Sequence, residues 1–221
     1  MRLTIVAATG GVGRHLLDQA IADGHDVTAV VRNPAKLDRE VRSVTADLSA
    51  PDPAALRAAV QDADAVLSAF GPHGVSDAGV TAPGTRALVE AMRASGVRRI
   101  VAVSAAPVST TPSAGRPHPP RHDPGEGPLM RRFGTPIGRR VLGRVFADLA
   151  AMEDVLRESG LDWTVVRPPR LTDKPVSGAY RTALGRNLRG GTAVARADVA
   201  HYMLRALADP ATIGQAVGIA D

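Results

Sequence analysis

The stretch Ile5-Val6-Ala7-Ala8-Thr9-Gly10-Gly11-Val12-Gly13-Arg14-His15-Leu16-Leu17 joins an apolar run, a glycine-rich turn and the start of a helical pattern. This order is typical of a dinucleotide-binding βα turn, because glycines let the backbone approach a pyrophosphate and let the helix pack on the strand. The N–H groups and the positive dipole end of the helix would then face the phosphates. Ala7 departs from the pattern, since a G-x-x-G-x-x-G spacing would begin there. The alternative is an ordinary strand-to-helix turn, and the rest of the chain favours the nucleotide site.

The composition limits the classes of protein to which the chain can belong. It has 221 residues, which suits one α/β domain over residues 1–221. It has no cysteine, which excludes disulfides, thiolate metal sites and a cysteine nucleophile, and we predict no metal site. We find no signal peptide before the first strand and no apolar run of membrane length, so we expect a cytoplasmic protein.

The positive charge is concentrated in one segment. The chain carries a formal net charge of +5, and residues 110–147 hold seven arginines against two acidic residues. The rest of the chain has twenty basic and twenty acidic residues, so its surface is not generally basic. The segment has only Phe133 and Phe146 as aromatic residues, which is poor for stacking on bases. We therefore expect neither a nucleic-acid nor a membrane partner, and core packing of residues 130–145 is the preferred interpretation.

Strand-like apolar runs alternate with helical patterns along most of the chain. This alternation predicts an α/β fold with a Rossmann-type doubly wound parallel sheet and right-handed crossovers. The predicted strands cover residues 3–7, 27–31, 41–46, 64–69, 99–104 and 162–166, and the predicted helices cover 11–23, 53–60, 81–95, 137–160 and 197–208. We also predict short strands at 178–183 and 192–195 and an edge strand at 215–219.

A segment rich in proline and arginine interrupts this alternation. Residues 107–136 contain eight of the seventeen prolines, together with His118 and His122. The segment is too long and too rich in proline for a plain connection, and it begins at the carboxyl end of a strand, on the ligand side of the sheet. A partly mobile lid and a disordered insertion without a role both remain open.

Basic residues follow the second predicted strand, where a dinucleotide's adenosine ribose would lie. Arg32 lies about twenty residues beyond the glycines, with Lys36 one helical turn later and Arg14 beside the glycine turn. Positive charge here suits the 2′-phosphate of NADP(H), which arginine binds in a bidentate manner, so we favour NADP(H) over NAD(H). The alternative is that Arg32 is a solvated loop residue. The strand ends at 47–48 and 69–71 would line the crevice in which ligands bind.

Several stretches, spread over nearly the whole chain apart from the proline-rich segment, form one combined pattern. They are Ala8-Thr9-Gly10-Gly11-Val12-Gly13, Val31-Arg32-Asn33-Pro34, Ala46-Asp47-Leu48, Val101-Ala102-Val103-Ser104, Phe146-Ala147-Asp148 with Glu153, Ser159-Gly160-Leu161-Asp162-Trp163-Thr164-Val165-Val166-Arg167-Pro168-Pro169 and Ala195-Arg196-Ala197-Asp198-Val199-Ala200. Together they resemble an atypical short-chain dehydrogenase/reductase of the NAD(P)H-binding, NmrA-like group, in particular its flavin (biliverdin) reductase-like members. The motifs are specific for the family and not for a substrate.

The resemblance implies roles for individual residues in an NADP(H) site. Those that would cradle the pyrophosphate are Thr9, Gly10, Val12 and Gly13. Arg32 would bind the 2′-phosphate, Asp47 and Leu48 the adenine edge, and Ala69, Phe70 and Gly71 the adenosine-side ribose or the pyrophosphate. Those that would lie near the nicotinamide are Ser104, Arg167 and Pro168.

The chain lacks the catalytic pair that many short-chain dehydrogenases use. That pair is a tyrosine four residues before a lysine, which lowers the tyrosine pKa so that the phenol protonates an alkoxide. The tyrosines here are Tyr180 and Tyr202 and the lysines are Lys36 and Lys174, so no such pair exists. Phe146 and Ala150 stand in the corresponding positions. Hydride transfer then requires an acceptor that needs no strong protein acid, such as a flavin or a related conjugated molecule.

The leading hypothesis is an NADPH-dependent reductase acting on a small-molecule, anionic or conjugated acceptor, which Ser104 would orient. Tyr180 and His122 are further catalytic candidates, with a half-buried packing residue and a solvated loop histidine as their respective alternatives. A second hypothesis is a non-catalytic NADP(H)-sensing protein that binds a protein partner at the basic segment. A third is a tailoring enzyme of specialised metabolism, of the isomerase or cyclase type.

Overall fold

Short apolar runs form the central strands, because both faces of a parallel sheet are covered by helices. The structure, a computed structural model, describes residues 1–72, 74–125 and 135–221, and only the backbone of 135–139. In β1 (Arg2–Val6), Leu3 and Ile5 pack on one face of the sheet and Val6 on the other. The same burial on both faces occurs in β4 (Ala65–Ser68), β5 (Arg99–Val103) and β6 (Asp162–Arg167).

The strands of the described residues form a large sheet and a small one. The other strands are β2 (Asp26–Val31), β3 (Arg42–Thr45), β7 (Arg170–Thr172), β8 (Arg181–Leu184), β9 (Ala193–Ala195) and β10 (Gln215–Ala220). The large sheet has the order β3-β2-β1-β4-β5-β6-β10-β8, and its neighbours run parallel except for β10 and β8. The predicted Rossmann-type α/β fold with a doubly wound sheet is therefore confirmed.

Helices cover both faces of the large sheet. They are α1 (Gly11–Ala22), α2 (Pro53–Val60), α3 (Thr81–Ser95), α4 (Thr135–Arg157) and α5 (Arg196–Leu207). Buried residues of α1 and α5 pack on one face, and those of α2, α3 and α4 pack on the other. Helix α4 is kinked at Leu142, where φ is −114°. Within the part of the chain that is described, no helix combines the length and apolar character needed to cross a membrane.

Two features of the strand pattern differ from the prediction. Residues 215–219 were expected to form an edge strand, which is wrong, because β10 lies inside the sheet between β6 and β8. Its last four residues are buried, whereas β8 is mostly exposed and so takes the edge. The short strand β7 was not predicted, and it pairs in parallel with β9 to form the small sheet.

The described part of the proline-rich segment is hydrogen bonded to the body of the protein. Asp154 of α4 accepts from the Ser113 hydroxyl at 3.0 Å and from the Gly115 N–H at 2.9 Å. The buried Asp123 carboxylate accepts from the backbone N–H of Asn187, in the connection between β8 and β9, at 3.0 Å. A lid role for residues 107–136 stays a prediction, and residues 126–134 lie outside the described residues.

Candidate functional site

The glycine turn lies at the carboxyl end of β1, where the order of the large sheet reverses between β1 and β4. A Cβ on Gly13 would lie 2.0 Å from the carbonyl oxygen of Ala7, and one on Gly10 would lie 3.1 Å from it. Glycine therefore lets α1 begin this close to β1. Gly10 is the N-cap of α1 and makes no side-chain cap, so the first N–H groups of the helix are left for a ligand.

Ala7 itself has a positive φ of 58°, in the left-handed region. Glycine adopts this region at no steric cost, whereas an L-residue with a Cβ is strained there. The departure from the glycine spacing therefore leaves the shape of the turn intact at some cost in free energy.

A cleft of about 550 Å³ opens at this end of the sheet. The predicted cofactor residues that line it are Thr9, Gly10, Val12, Arg32, Asp47, Leu48, Ala69, Phe70, Gly71 and Ser104. Gly13 lies behind the turn, where it permits the packing of α1 on β1. A Cβ on Gly84 of α3 would lie 2.5 Å from the Leu48 carbonyl oxygen, so α3 packs directly behind these strand ends. The turn and the strand ends thus form one continuous wall.

One end of the cleft is basic. Arg32 and Lys36 line the cleft, and Lys36 also lines an adjoining groove of about 280 Å³ together with Thr9 and Arg14. The Arg14 guanidinium lies 3.7 Å from the carboxylate of Asp38, and both side chains are more than half exposed. Such an exposed ion pair is weak, so Arg14 remains available to an anion. The three cations, which are shared between the cleft and the adjoining groove, suit an anionic group such as a phosphate.

Asp47 is held as a carboxylate beside this basic end. Its Oδ1 accepts from the Ser49 hydroxyl at 2.7 Å and from the Ser49 backbone N–H at 2.9 Å. These two hydrogen bonds, with a smaller contribution from the charge of Arg32, lower the pKa of Asp47 below its ordinary value. The cleft therefore offers a fixed acceptor next to Arg32.

The opposite end of the cleft is formed by Ser104 above a buried ion pair. The Ser104 hydroxyl donates to Oε1 of Glu153 at 2.8 Å, and both residues are buried. The Nε of Arg167 donates to the same oxygen at 2.8 Å, and its Nη2 donates to Oε2. Arg157 adds a bond from Nη2 to Oε2 at 2.7 Å. The proton of Ser104 is thus engaged by Glu153, so its hydroxyl has acceptor capacity and no proton left to donate to a ligand.

An apolar wall lies beside Ser104. Val145, Phe146 and Leu149 of α4 line the cleft there. Phe146 is the residue predicted from the sequence to stand in place of a tyrosine. A phenyl ring has no proton to give. Among the described residues that line the cleft, none is a tyrosine or a histidine.

Several predicted site residues lie away from the cleft walls. Arg167 is buried beneath Ser104, and the Pro168 carbonyl accepts from the Ala106 N–H at 2.8 Å. The Tyr180 hydroxyl lies 2.7 Å from Nδ1 of His201, and burial raises the pKa of this phenol. His122 is exposed and does not line the cleft. Direct contact of these residues with a ligand, like every predicted site role, stays a prediction.

Residues that the sequence prediction did not assign to the site complete the cleft. Arg196, the first residue of α5, and Leu171 of β7 also line it. They reach it through the pairing of β7 with β9, which the sequence pattern did not reveal.

The residues of the cleft fit a dinucleotide. A glycine turn that a Cβ would fill, an uncapped helix start and a basic pocket follow one another along the cleft, as adjacent phosphates require. The residues that would hold the dinucleotide are Thr9, Gly10, Val12, Arg32, Lys36 and Asp47.

Comparisons with known proteins agree with this geometry. The structure of the oxidoreductase ylbE from Lactococcus lactis superposes with a TM-score of 0.80 at 19% identity, covering 100% of this chain and 91% of that one. ChuY, an anaerobilin reductase from Escherichia coli O157:H7, superposes with a TM-score of 0.76 at 21% identity, covering 100% and 97%. A 3-diazoavenalumate denitrifying reductase from Streptomyces is 36% identical over 116 residues, which are 48% of this chain and 38% of that protein.

The profile of the NAD(P)H-binding family matches residues 7–210, which include the glycine turn, the basic end of the cleft and the Ser104 end. The match begins directly after β1 and includes the whole of α5. The chain is therefore a member of the NAD(P)H-binding family, and it has a Rossmann-type fold.

Proposed function

We propose that this protein is an NADPH-dependent reductase that passes a hydride to a flavin-like or other conjugated acceptor. The observation that carries the proposal is the orientation of Ser104. Its hydroxyl donates to a buried carboxylate that two arginines already hold, so the reacting end of the cleft presents an acceptor oxygen beside apolar side chains. A reaction in which the protein must protonate an alkoxide has no proton donor at this position.

A conjugated acceptor removes the need for such a donor. When bound, NADPH would supply a hydride, and the negative charge that this adds to a conjugated acceptor is spread over many atoms. Solvent then supplies the proton that completes the reduction. The chain then has to align the two reactants and to exclude competing reactions, and Phe146, Val145 and Leu149 provide an apolar wall for this.

The preference for NADPH over NADH rests on the basic end of the cleft. Arg32 and Lys36 line it, and Arg14 lies in the adjoining groove. A 2′-phosphate there would be attracted by these cations, whereas a 2′-hydroxyl has no charge for them to bind.

The names of two similar proteins support a reductase with an unusual acceptor. One is called an anaerobilin reductase and the other a 3-diazoavenalumate denitrifying reductase. The two names indicate different acceptors, so the acceptor of this chain has to be found by experiment.

The experiment is NADPH oxidation, followed at 340 nm, against a panel of flavins, quinones and tetrapyrroles. We expect turnover with at least one conjugated acceptor, and we expect a simple ketone or aldehyde panel to be inert. A Ser104→Ala variant is expected to raise the KM of the acceptor and to leave the shape of the pH–rate profile unchanged, because this hydroxyl donates to Glu153. A pH-dependent step that disappears in Ser104→Ala would contradict this assignment.

Binding of NADPH without turnover on any acceptor would refute the reductase proposal. A cofactor-sensing role would then be tested by the change in affinity for a protein partner between the cofactor-bound and cofactor-free states.

A further inference from the structure

The small sheet brings two charged residues together at the mouth of the cleft. Thr172 of β7 pairs with Ala195 of β9 in a parallel register. The next residues along the two strands are Asp173 and Arg196, so parallel pairing places them side by side. Nη1 of Arg196 donates to Oδ1 of Asp173 at 2.6 Å. Both residues lie outside residues 7–13, which form the glycine turn.

Arg196 lies directly against the glycine turn. A Cβ on Gly11 would lie 2.8 Å from Nε and 2.9 Å from Cδ of Arg196. The absence of a side chain at Gly11 therefore makes room for the arginine. Helix α5 is fixed against α1 here, because the side-chain amide of Gln19 donates to the carbonyl of Ala197 at 3.0 Å. Arg196 is thus held on the side of the cleft that faces the start of α1.

The pairing of Arg196 with Asp173 is easily exchanged. The Asp173 side chain is 87% exposed, and an ion pair with such a partner contributes little to stability. The bond uses Nη1, and the guanidinium has further donors on Nε and Nη2.

The α1 end of the cleft otherwise offers backbone N–H groups and a helix dipole, which together amount to a fractional charge. A pyrophosphate carries more negative charge than these groups balance.

We propose that Arg196, which lies against the start of α1, binds the pyrophosphate of the bound dinucleotide, and that Asp173 is its counter-ion when the cleft is empty of cofactor. The inference rests on the proposed NADP(H) site and assigns a further binding residue within it. The ligand and Asp173 then compete for one guanidinium, so the two substitutions act in opposite directions. Removing the arginine weakens binding, and neutralising the aspartate strengthens it.

The test compares NADPH with adenosine 2′-monophosphate, which has the 2′-phosphate but no phosphate at the 5′ position and so nothing at the pyrophosphate site. We expect Arg196→Ala to raise the Kd of NADPH about 10- to 100-fold, as for loss of a charge-assisted hydrogen bond, and to leave the Kd of adenosine 2′-monophosphate within about 2-fold. Arg196→Lys is expected to fall in between, because it keeps the charge and loses the planar fork. Asp173→Asn is expected to lower the Kd of NADPH by up to about 5-fold.

Arg57→Ala is the matched control, since it removes an exposed positive charge on α2, away from the cleft. Equal effects of Arg196→Ala and Arg57→Ala would overturn the proposal, as would equal weakening of NADPH and adenosine 2′-monophosphate. An effect confined to the KM of the acceptor would overturn it as well. If Arg196→Ala fails to fold, the tighter NADPH binding expected of Asp173→Asn still tests the proposal. Wild-type protein that binds neither ligand would refute the NADP(H) site itself, and with it this inference.

Discussion

Replacing Glu153 by glutamine removes the charge that holds the Ser104 end of the cleft together. The Glu153 side chain is 1% exposed and its partner Arg167 is 4% exposed, so the substitution leaves a buried guanidinium without its main counter-ion. Breaking a buried ion pair by removing one partner destabilises a protein by about 3–5 kcal/mol. At an unfolding entropy of about 2.1 cal/mol/K per residue, this chain of 221 residues loses about 2 °C per kcal/mol. The expected fall in Tm is therefore about 6–11 °C.

Calorimetric melting of the wild type, Glu153→Gln, Arg167→Gln and the double variant measures this effect. We expect the double variant to lose less stability than the sum of the two single variants, because the charges are removed together. Glu158→Gln, an exposed substitution near the carboxyl end of the same helix, is the control and is expected to change the free energy of unfolding by no more than about 0.5 kcal/mol. A Tm of Glu153→Gln within about 2 °C of the wild type would refute the reasoning, since about 1 kcal/mol is too little for a buried pair.

Three further substitutions test other parts of the molecule. Arg32→Ala is expected to raise the Kd of NADPH about 10-fold or more and that of NADH by less than about 2-fold, measured by calorimetric titration, and an equal loss for both would contradict a 2′-phosphate site. Gly13→Ala is expected to destabilise the fold by about 1–3 kcal/mol in thermal melts, because the new methyl group would lie 2.0 Å from the Ala7 carbonyl oxygen. Gly143→Ala is the control and is expected to be neutral or stabilising, since no described atom lies within 4 Å of the added Cβ. Burial raises the pKa of Tyr202 to about 12, above the ordinary value of about 10, so the fold favours the neutral phenol and loses stability as pH rises from about 10 to 12. Tyr202→Phe is expected to reduce that alkaline loss by at most about 1 kcal/mol, and equal losses of Tm between pH 8 and pH 11 in both proteins would contradict the assignment.

The fold and the glycine turn were predictable because they depend on local sequence. The strand-turn-helix order around Gly10, the N-cap Asp52 with Pro53 at the start of α2, and the closing Gly96 of α3 each act through neighbours a few residues away. The strand ends at Asp47 and Ala69 follow from the rule that parallel strands share one ligand-binding edge. Ala7 shows the limit of this reasoning, since its positive φ is set by the turn and not by its own preference.

The rest of the site depends on contacts between distant segments. Arg196 reaches the glycine turn because β7 pairs with β9, and neither three-residue strand has a strong pattern of its own. The direction of the Ser104 hydroxyl depends on Glu153, forty-nine residues away in another element. β10 lies inside the sheet because β8 covers it, which periodicity within residues 215–219 does not reveal. The Tyr180 hydroxyl lies 2.7 Å from Nδ1 of His201, twenty-one residues away, and its catalytic role stays a prediction.

The central claim is that the cleft beside Gly10 and Arg32 holds NADP(H), and calorimetric titration of the wild-type protein with NADPH and NADH tests it most directly. We expect saturable binding at one site per chain, with NADPH bound at least about 10-fold more tightly than NADH because of the added charge-assisted contacts to the 2′-phosphate. Absence of binding for both dinucleotides, or equal affinity for the two, would contradict the account.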